Sequence, residues 1–286
     1  MCGICGELRF DGDGADLAAI ERMTAALVPR GPDNGGSWSD GPLGFGHRRL
    51  AIIDLSARAH QPMVDPELGL ALVFNGTIYN YRALRTQLAA RGHRFFSDGD
   101  TEVILKSYRE WGPACVERFQ GMFAFALWDL RSRTFFLARD RFGIKPLYWS
   151  TDGRRMRFAS PPQSLLAAGG VDTAIDPVGL QFQFTLHAVV PAPRTILKAI
   201  HKLPPAHTLT IDRDGIGSPQ PYWHLEAVRE PAPVSEAEWI ERVHQSLLAA
   251  VRKRQEAADV PVGVLLSGGL DSSLIVALMA EIGGVD

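Results

Sequence analysis

Cysteine stands second in the chain, where it can do chemistry that a cysteine elsewhere cannot. Initiator methionine is removed when the residue behind it is small, so the mature chain is expected to begin at Cys2, with a thiol and a free α-amine on one residue. An α-amine titrates near ~7.7–8.0, so it can act as general base beside its own nucleophile with no histidine required. Polar groups also stand toward the ends of predicted elements at Arg48-Arg49, Asn75-Gly76 and Asp100. Each also has an ordinary role. The arginines could be a solvated pair at a strand end, Asn75-Gly76 a turn, and Asp100 the cap of a helix.

Cys2 and Cys5 also spell a CxxC, but zinc needs about four ligands and no second CxxC or His pair lies at finger-like spacing. Cys5 is therefore expected to be buried packing. Three cysteines cannot build a disulfide framework. A second chemical locus lies near the other end. There the apolar run VPVGVLL, of the kind buried in a parallel sheet, leads into SGGLDSS and then into the helical LIVALMAEI. Strand, loop and helix in that order aim unpaired N–H groups and a positive dipole end at the loop, which favours phosphate. Ser267, Ser272 and Ser273 add hydroxyls, while Gly268 and Gly269 permit close backbone approach. It is not a Walker P-loop, because GxxxxGK[ST] is absent.

The elements that must position these residues follow from periodicity. ICGELRF is a first strand; Leu17, Ile20, Met23 and Leu27 mark one face of a helix that ends at the RGPD turn. LGFGHRRLAIIDL and LGLALVFNGTIYN are two strands with their polar residues toward the ends. Asn80 is placed to cap a helix through RALRTQLAARG, and another helix, TEVILKSYREWG, follows the acidic turn SDGD. GMFAFALWDL with TFFLARD, and PLYWS with RMRFAS, form hairpins. Pro, Gly and Asp dominate from 211 to 234, a stretch expected to be an exit loop and linker. Beyond it, Ser235-Glu236-Ala237-Glu238 is a capping box, and Trp239, Val243, Leu247 and Val251 recur every fourth residue on one helical face.

Composition excludes several partners. Thirty Lys+Arg against 32 Asp+Glu leave a formal charge of -2, without the basic footprint that nucleic-acid binding needs. No apolar run approaches the ~20 residues that span a bilayer, so no membrane contact is expected and the expected location is the cytoplasm.

Taken in order, MCGICG, RGPD at 30–33, GHRRLAIIDL at 46–55, QPM at 61–63, NGTIYNY at 75–81, DGDTEVIL at 98–105, RFQGMFAFALWD at 118–129 and LARDRFGIKPLYW at 137–149 carry a resemblance. Together they resemble the glutaminase domain of class II glutamine amidotransferases and, within that group, the glutamine-hydrolysing asparagine synthetases. The resemblance implies an α+β chain: an N-terminal nucleophile hydrolase-type α/β/β/α sandwich, then the first strand and helix of an α/β ATP-pyrophosphatase domain. It divides the chain into a glutaminase domain over 2–212, a linker over 213–234 and an N-terminal piece of the synthetase domain over 235–286. It also implies roles. Cys2 attacks L-glutamine, the Asn75 side-chain amide and the Gly76 N–H receive the oxyanion, Arg49 binds the substrate carboxylate and Asp100 its ammonium. Leu266, Ser267, Gly268, Gly269, Asp271, Ser272 and Ser273 then resemble a pyrophosphate loop for ATP, in which Asp271 helps hold Mg²⁺.

One position departs from that pattern. Thr77 stands where the family usually has glutamate, which leaves Asp100 as the main acidic partner of the substrate ammonium and implies weaker glutamine affinity with the chemistry intact. Ammonia freed at Cys2 is expected to reach a β-aspartyl-AMP made from L-aspartate and ATP at the second site. The chain stops at Asp286, so that second half is expected to be only begun, and 236–286 to expose apolar faces and be poorly ordered or aggregation-prone. Two other functions fit the same residues: amidation of a different acyl-adenylate, and a catalytically silent glutamine-binding module. A homodimer is compatible with all three.

Overall fold

In the computed structural model, residues 1–212, 215–229 and 233–283 are described. In chain order they form strands β1 (Gly3–Arg9), β2 (Asn34–Asp40), β3 (Leu43–Arg49), β4 (Met63–Asp65), β5 (Leu70–Ile78), β6 (Gly121–Asp129), β7 (Thr134–Arg139), β8 (Tyr148–Thr151), β9 (Arg155–Ala159), β10 (His201–Lys202), β11 (His207–Asp212), β12 (Gly215–Ile216) and β13 (Gln220–Pro221). The helices are α1 (Leu17–Ala25), α2 (Tyr81–Ala90), α3 (Asp100–Trp111), α4 (Pro162–Ala167), α5 (Pro177–Thr185), α6 (Glu236–Ala257) and α7 (Leu270–Ile282). One antiparallel sheet runs β10-β8-β9-β1-β3-β2 and the other β12-β11-β7-β6-β5-β4, with β13 also on β11.

Alternation along the central strands explains the layering. In β5, Ala71 and Val73 face the first sheet, where they meet Ile4, Phe45 and Phe158; Leu70, Leu72 and Phe74 face Leu84, Leu88, Val103 and Ile104 of α2 and α3. In β6, Ala124, Ala126 and Trp128 take the first side and Phe123, Phe125 and Leu127 the second. Both faces are buried, which is why these strands read as unbroken apolar runs. On the outer face of the first sheet, Cys5 and Ala159 pack under Ala19 and Met23 of α1 and Leu165 of α4. The order is helices, sheet, sheet, helices: the expected α/β/β/α sandwich. Each fully buried Phe or Leu in it contributes roughly 1.5–3 kcal/mol.

Several expectations change in detail. β2, NGGSWSD, had no apolar signature; it is an edge strand paired only with β3, with alternate residues exposed. Asn80 sits at the start of α2 but makes no capping bond there. Its Nδ2 donates to the Arg118 carbonyl at 3.0 Å and its Oδ1 accepts the Gln120 N–H at 2.9 Å, so it ties α2 to the start of β6. β12 and β13 lie inside the stretch expected to be linker, and both pair with β11. Ser235 caps α6 as expected, its side chain accepting the Glu238 N–H.

The C-terminal segment departs most. VPVGVLL forms no strand, and Leu265 is 95% exposed. A strand exists only against a partner, and among the described residues no strand lies beside it. The regular face of α6 is used only in its second half: Leu248 and Val251 pack on Leu278 and Met279 of α7, while Trp239 and Val243 stay about half exposed. No described helix is long and apolar enough to cross a membrane.

Candidate active site

The register of the first sheet brings the nucleophile to its neighbours. β1 pairs antiparallel with β3, Gly3 opposite Arg48, so Cys2 lies one step beyond the ladder, beside Arg49 and Leu50. On β5, Asn75 and Thr77 continue the parity of Ala71 and Val73 toward the first sheet. α3 begins at Asp100, whose Oδ2 accepts the Ile78 N–H at 3.0 Å and so pins the helix start to the end of β5. Cys2, Arg49, Asn75, Gly76, Thr77 and Asp100 all line one cavity of about 120 Å³. That is below the ~300–1,000 Å³ of drug-sized ligand sites and suits a single small substrate. A larger cavity of about 730 Å³ lies at the far end of β1, but its lining, which includes Leu8, Phe10 and Trp128, holds no cysteine.

Cys2 is held at both ends. Its sulfur accepts the Leu50 N–H at 3.4 Å and lies 3.6 Å from the Leu50 carbonyl, and its own carbonyl accepts Arg30 Nε–H at 3.0 Å. Burial pushes the thiol up, against the pull of the Leu50 amide and the Arg49 charge. A raised thiol needs a base, yet no histidine lines the cavity. His47, at the sheet interface, donates Nε2–H to the Phe74 carbonyl at 3.2 Å and is pushed down to about 3 by burial, so it stays neutral. Cys5 is packing: fully buried, its thiol is pushed up to about 12.

Asn75 Nδ2 donates to Ser160 Oγ at 3.4 Å, and the same hydroxyl accepts the Ile4 N–H at 3.1 Å. One amide hydrogen of Asn75 is thereby committed and one is left. Its Oδ1 is buried with no partner among the described residues, a costly state that a bound donor would relieve. Gly76 must be glycine: a Cβ there would come within 2.2 Å of the Met122 carbonyl oxygen. Arg49 is held by backbone carbonyls, Nη1 donating to Ser56 at 3.2 Å and Nη2 to Ile53 at 3.1 Å and Asp54 at 2.5 Å. Those bonds take three of the five guanidinium donors, so two remain for a carboxylate.

Asp100 is pushed up to about 7 by burial, against the Ile78, Thr101 and own-backbone hydrogen bonds and the Arg49 charge. A neutral carboxyl cannot pair with an ammonium. If Asp100 takes the ammonium of an amino-acid substrate, as the resemblance implies, that ammonium must displace a proton below about pH 7, and substrate KM is expected to rise as pH falls, by about tenfold per unit at the limit. A KM–pH profile that stays flat from 8 down to about 5.5 would refute this.

Residues 1–223 match the glutamine amidotransferase domain family. The chain belongs to that family. Residues 242–284 of this glutamine amidotransferase also match the asparagine synthase family. It is 38% identical over 98% of its length to asparagine synthetase [glutamine-hydrolyzing] 3 of Bacillus subtilis, covering 45% of that protein. Against a putative asparagine synthetase [glutamine-hydrolyzing] of Mycobacterium tuberculosis (strain H37Rv) the figures are 40%, 97% and 45%. The chain thus spans less than half the length of these two relatives. Among solved structures, the glutamine phosphoribosylpyrophosphate amidotransferase of B. subtilis aligns with a TM-score of 0.57 at 16% identity, over 98% of this chain and 64% of the other. The fold is that of the N-terminal nucleophile hydrolases.

At the amidotransferase's second locus, Gly269 precedes α7 and Gly268 adopts φ +79°. The hydroxyls close the loop on itself: Ser267 Oγ and Ser272 Oγ are 3.0 Å apart, and Ser272 and Ser273 donate to the Gly269 carbonyl at 3.1 and 2.9 Å. Leu266 and Leu270 are exposed. Asp271 lies in the first turn of α7, and among the described residues no group of three His, Cys, Asp or Glu side chains is placed to hold a metal ion.

Two supports of the first site had no sequence signal of their own: Ser160, and the carbonyls of 53, 54 and 56 around Arg49. The charged residues of LARDRFGIKPLYW, by contrast, build a loop. Asp140 accepts the amides of Phe123, Phe142, Ile144 and Lys145, and Arg139 donates to the carbonyls of Gly143, Lys145 and Leu203. That loop brings Lys145 to the cavity wall.

Proposed function

We propose that this chain is the glutaminase half of an asparagine synthetase. It hydrolyses L-glutamine at Cys2 to glutamate and ammonia, and the ammonia amidates a carboxylate activated by ATP, as β-aspartyl-AMP, at the site that SGGLDSS begins. The observation that carries the first step is the meeting of Cys2, Arg49, Asn75, Gly76 and Asp100 in one cavity. In that step the α-amine of Cys2, free once Met1 is removed, takes the thiol proton, and the sulfur attacks the side-chain amide carbon. The Gly76 N–H and the uncommitted Asn75 amide hydrogen receive the oxyanion. The carbon–nitrogen bond breaks, the proton held by the amine passes to the leaving nitrogen, and water then cleaves the thioester to glutamate and thiol. Meanwhile the two free donors of Arg49 hold the α-carboxylate and Asp100 the α-ammonium.

The second step rests on the match of 242–284 to asparagine synthases. An exposed loop with Gly268 at positive φ, opening a helix, fits pyrophosphate at the amides where the helix begins. Asp271, in the first turn of α7, is the acidic side chain that would hold Mg²⁺, which would neutralise phosphate charge there. L-aspartate and ATP are the proposed substrates of the whole enzyme, acting in the cytoplasm. The test is glutamine-dependent ammonia release by protein processed to Cys2; a correctly processed protein that releases none overturns the reading.

Thr77 is buried in the cavity wall on the same face of β5 as Asn75. Thr77→Glu would add a second carboxylate for the substrate ammonium. The expected result is a lower glutamine KM at little change in kcat; an unchanged or higher KM would sink the idea.

A further inference from the structure

The cradle that holds Arg49 is itself held from outside the glutamine amidotransferase match. Asp259 follows α6 and lies within the asparagine synthase match, eight residues ahead of Ser267. Its backbone N–H donates to the Ile52 carbonyl at 2.9 Å, and its Oδ2 accepts the Asp54 N–H at 2.8 Å. Asp54 sits at φ +48°, a left-handed conformation that is uncommon for L residues, though Asp adopts it more readily than most. Its own carboxylate accepts the Ser56 N–H and Oγ–H at 3.1 and 2.6 Å and the Asp98 N–H at 2.8 Å. So the carbonyls of 53, 54 and 56, the ones that grip Arg49, are clamped on one side by the approach to Asp100 and on the other by Asp259. The outer oxygen of Asp259 pairs with Arg82 at 3.1 Å, and Arg82 also donates to the Glu256 carbonyl.

We infer that Asp259 is a positioning residue for the glutamine site: by fixing the 52–54 turn it sets the carbonyl cradle that aims the free Arg49 donors at the substrate α-carboxylate. This rests on the glutaminase reading above. Its consequence is that the glutamine site is completed by the segment that leads into the SGGLDSS loop, so a shift of that segment alters glutamine affinity ahead of any chemistry. The exposed Arg82 pair lies outside this chain of contacts, since an exposed pair of that kind adds little.

The test compares wild type, Asp259→Ala, Asp259→Asn and Arg82→Gln by glutaminase kinetics and by hydrogen exchange at 51–56. For Asp259→Ala, glutamine KM is expected to rise about tenfold with kcat nearly unchanged, the loss of one hydrogen bond to a charged acceptor. Exchange of the Asp54 amide should quicken in step. Asp259→Asn keeps one oxygen for the Asp54 N–H and is expected to lie between wild type and Asp259→Ala, which separates positioning from misfolding. Arg82→Gln should leave KM near the wild-type value. Unchanged exchange at Asp54 in Asp259→Ala, or an equal KM rise in Arg82→Gln, would overturn the proposal. An inactive wild type would instead count against the glutaminase reading, and the exchange data would still judge the Asp259 clamp.

Discussion

Cys2→Ala is expected to abolish ammonia release from glutamine, with a loss of about 10⁴-fold or more, the scale seen when a covalent nucleophile is removed. The protein should remain folded, because Cys2 belongs to none of the buried clusters and, among the described residues, its sulfur hydrogen-bonds only with the Leu50 backbone. A second variant is more discriminating. Residues added ahead of Cys2 leave the thiol in place but turn its nitrogen into an amide, and no histidine lines the cavity to replace the lost base. Burial raises the Cys2 thiol, so little thiolate exists at neutral pH without that base. The extended protein should therefore be nearly as inactive as Cys2→Ala, while slow alkylation by iodoacetamide persists. Full activity in the extended protein would show that the α-amine is not the base. Cys5→Ala serves as the control: that thiol lies under α1, bonded to Thr24 and Gly46, and its loss touches packing alone.

The central strands were legible because both their faces are buried: LALVF and FAFALW can hardly be anything but interior strands once α2 and α3 cover one side and the other sheet covers the second. Asn75, Arg49 and Asp100 were legible for a different reason. Arg49 ends β3 and Asp100 begins α3, which is where a scaffold presents functional groups, whereas Asn75 lies inside β5; the roles of all three came from the family resemblance. What escaped depends on contacts distant in sequence. Ser160 touches Ile4 and Asn75 across separations of 156 and 85 residues, and nothing local marks it. The Arg49 cradle consists of carbonyls, which every residue has. Asp259 reaches the loop at 52–54 across more than two hundred residues and offers no motif. VPVGVLL was misread for the opposite reason: its local signal is that of a buried strand, but strand formation is settled by neighbours, and the described residues supply none.

The second large effect is expected at Asn75. Asn75→Ala should lower glutaminase kcat by about 10²–10³-fold, the cost of ~2.7–4 kcal/mol for one oxyanion donor, with a small change in KM. The split follows from the proposed roles: Arg49 and Asp100 would hold the glutamine α-carboxylate and α-ammonium, whereas the Asn75 amide would meet charge that exists only after attack. Position supports the role. Asn75 is 1% exposed, sits opposite Ala124 on the central strand pair, and shares Ser160 Oγ with the Ile4 amide two residues from the nucleophile, so donor and sulfur are fixed relative to each other. Ser160→Ala should produce a weaker copy of the same phenotype, lowering kcat by about tenfold through loss of that alignment. A variant pair in which KM rises and kcat is unchanged would place Asn75 in ground-state binding and move the oxyanion elsewhere in the cavity.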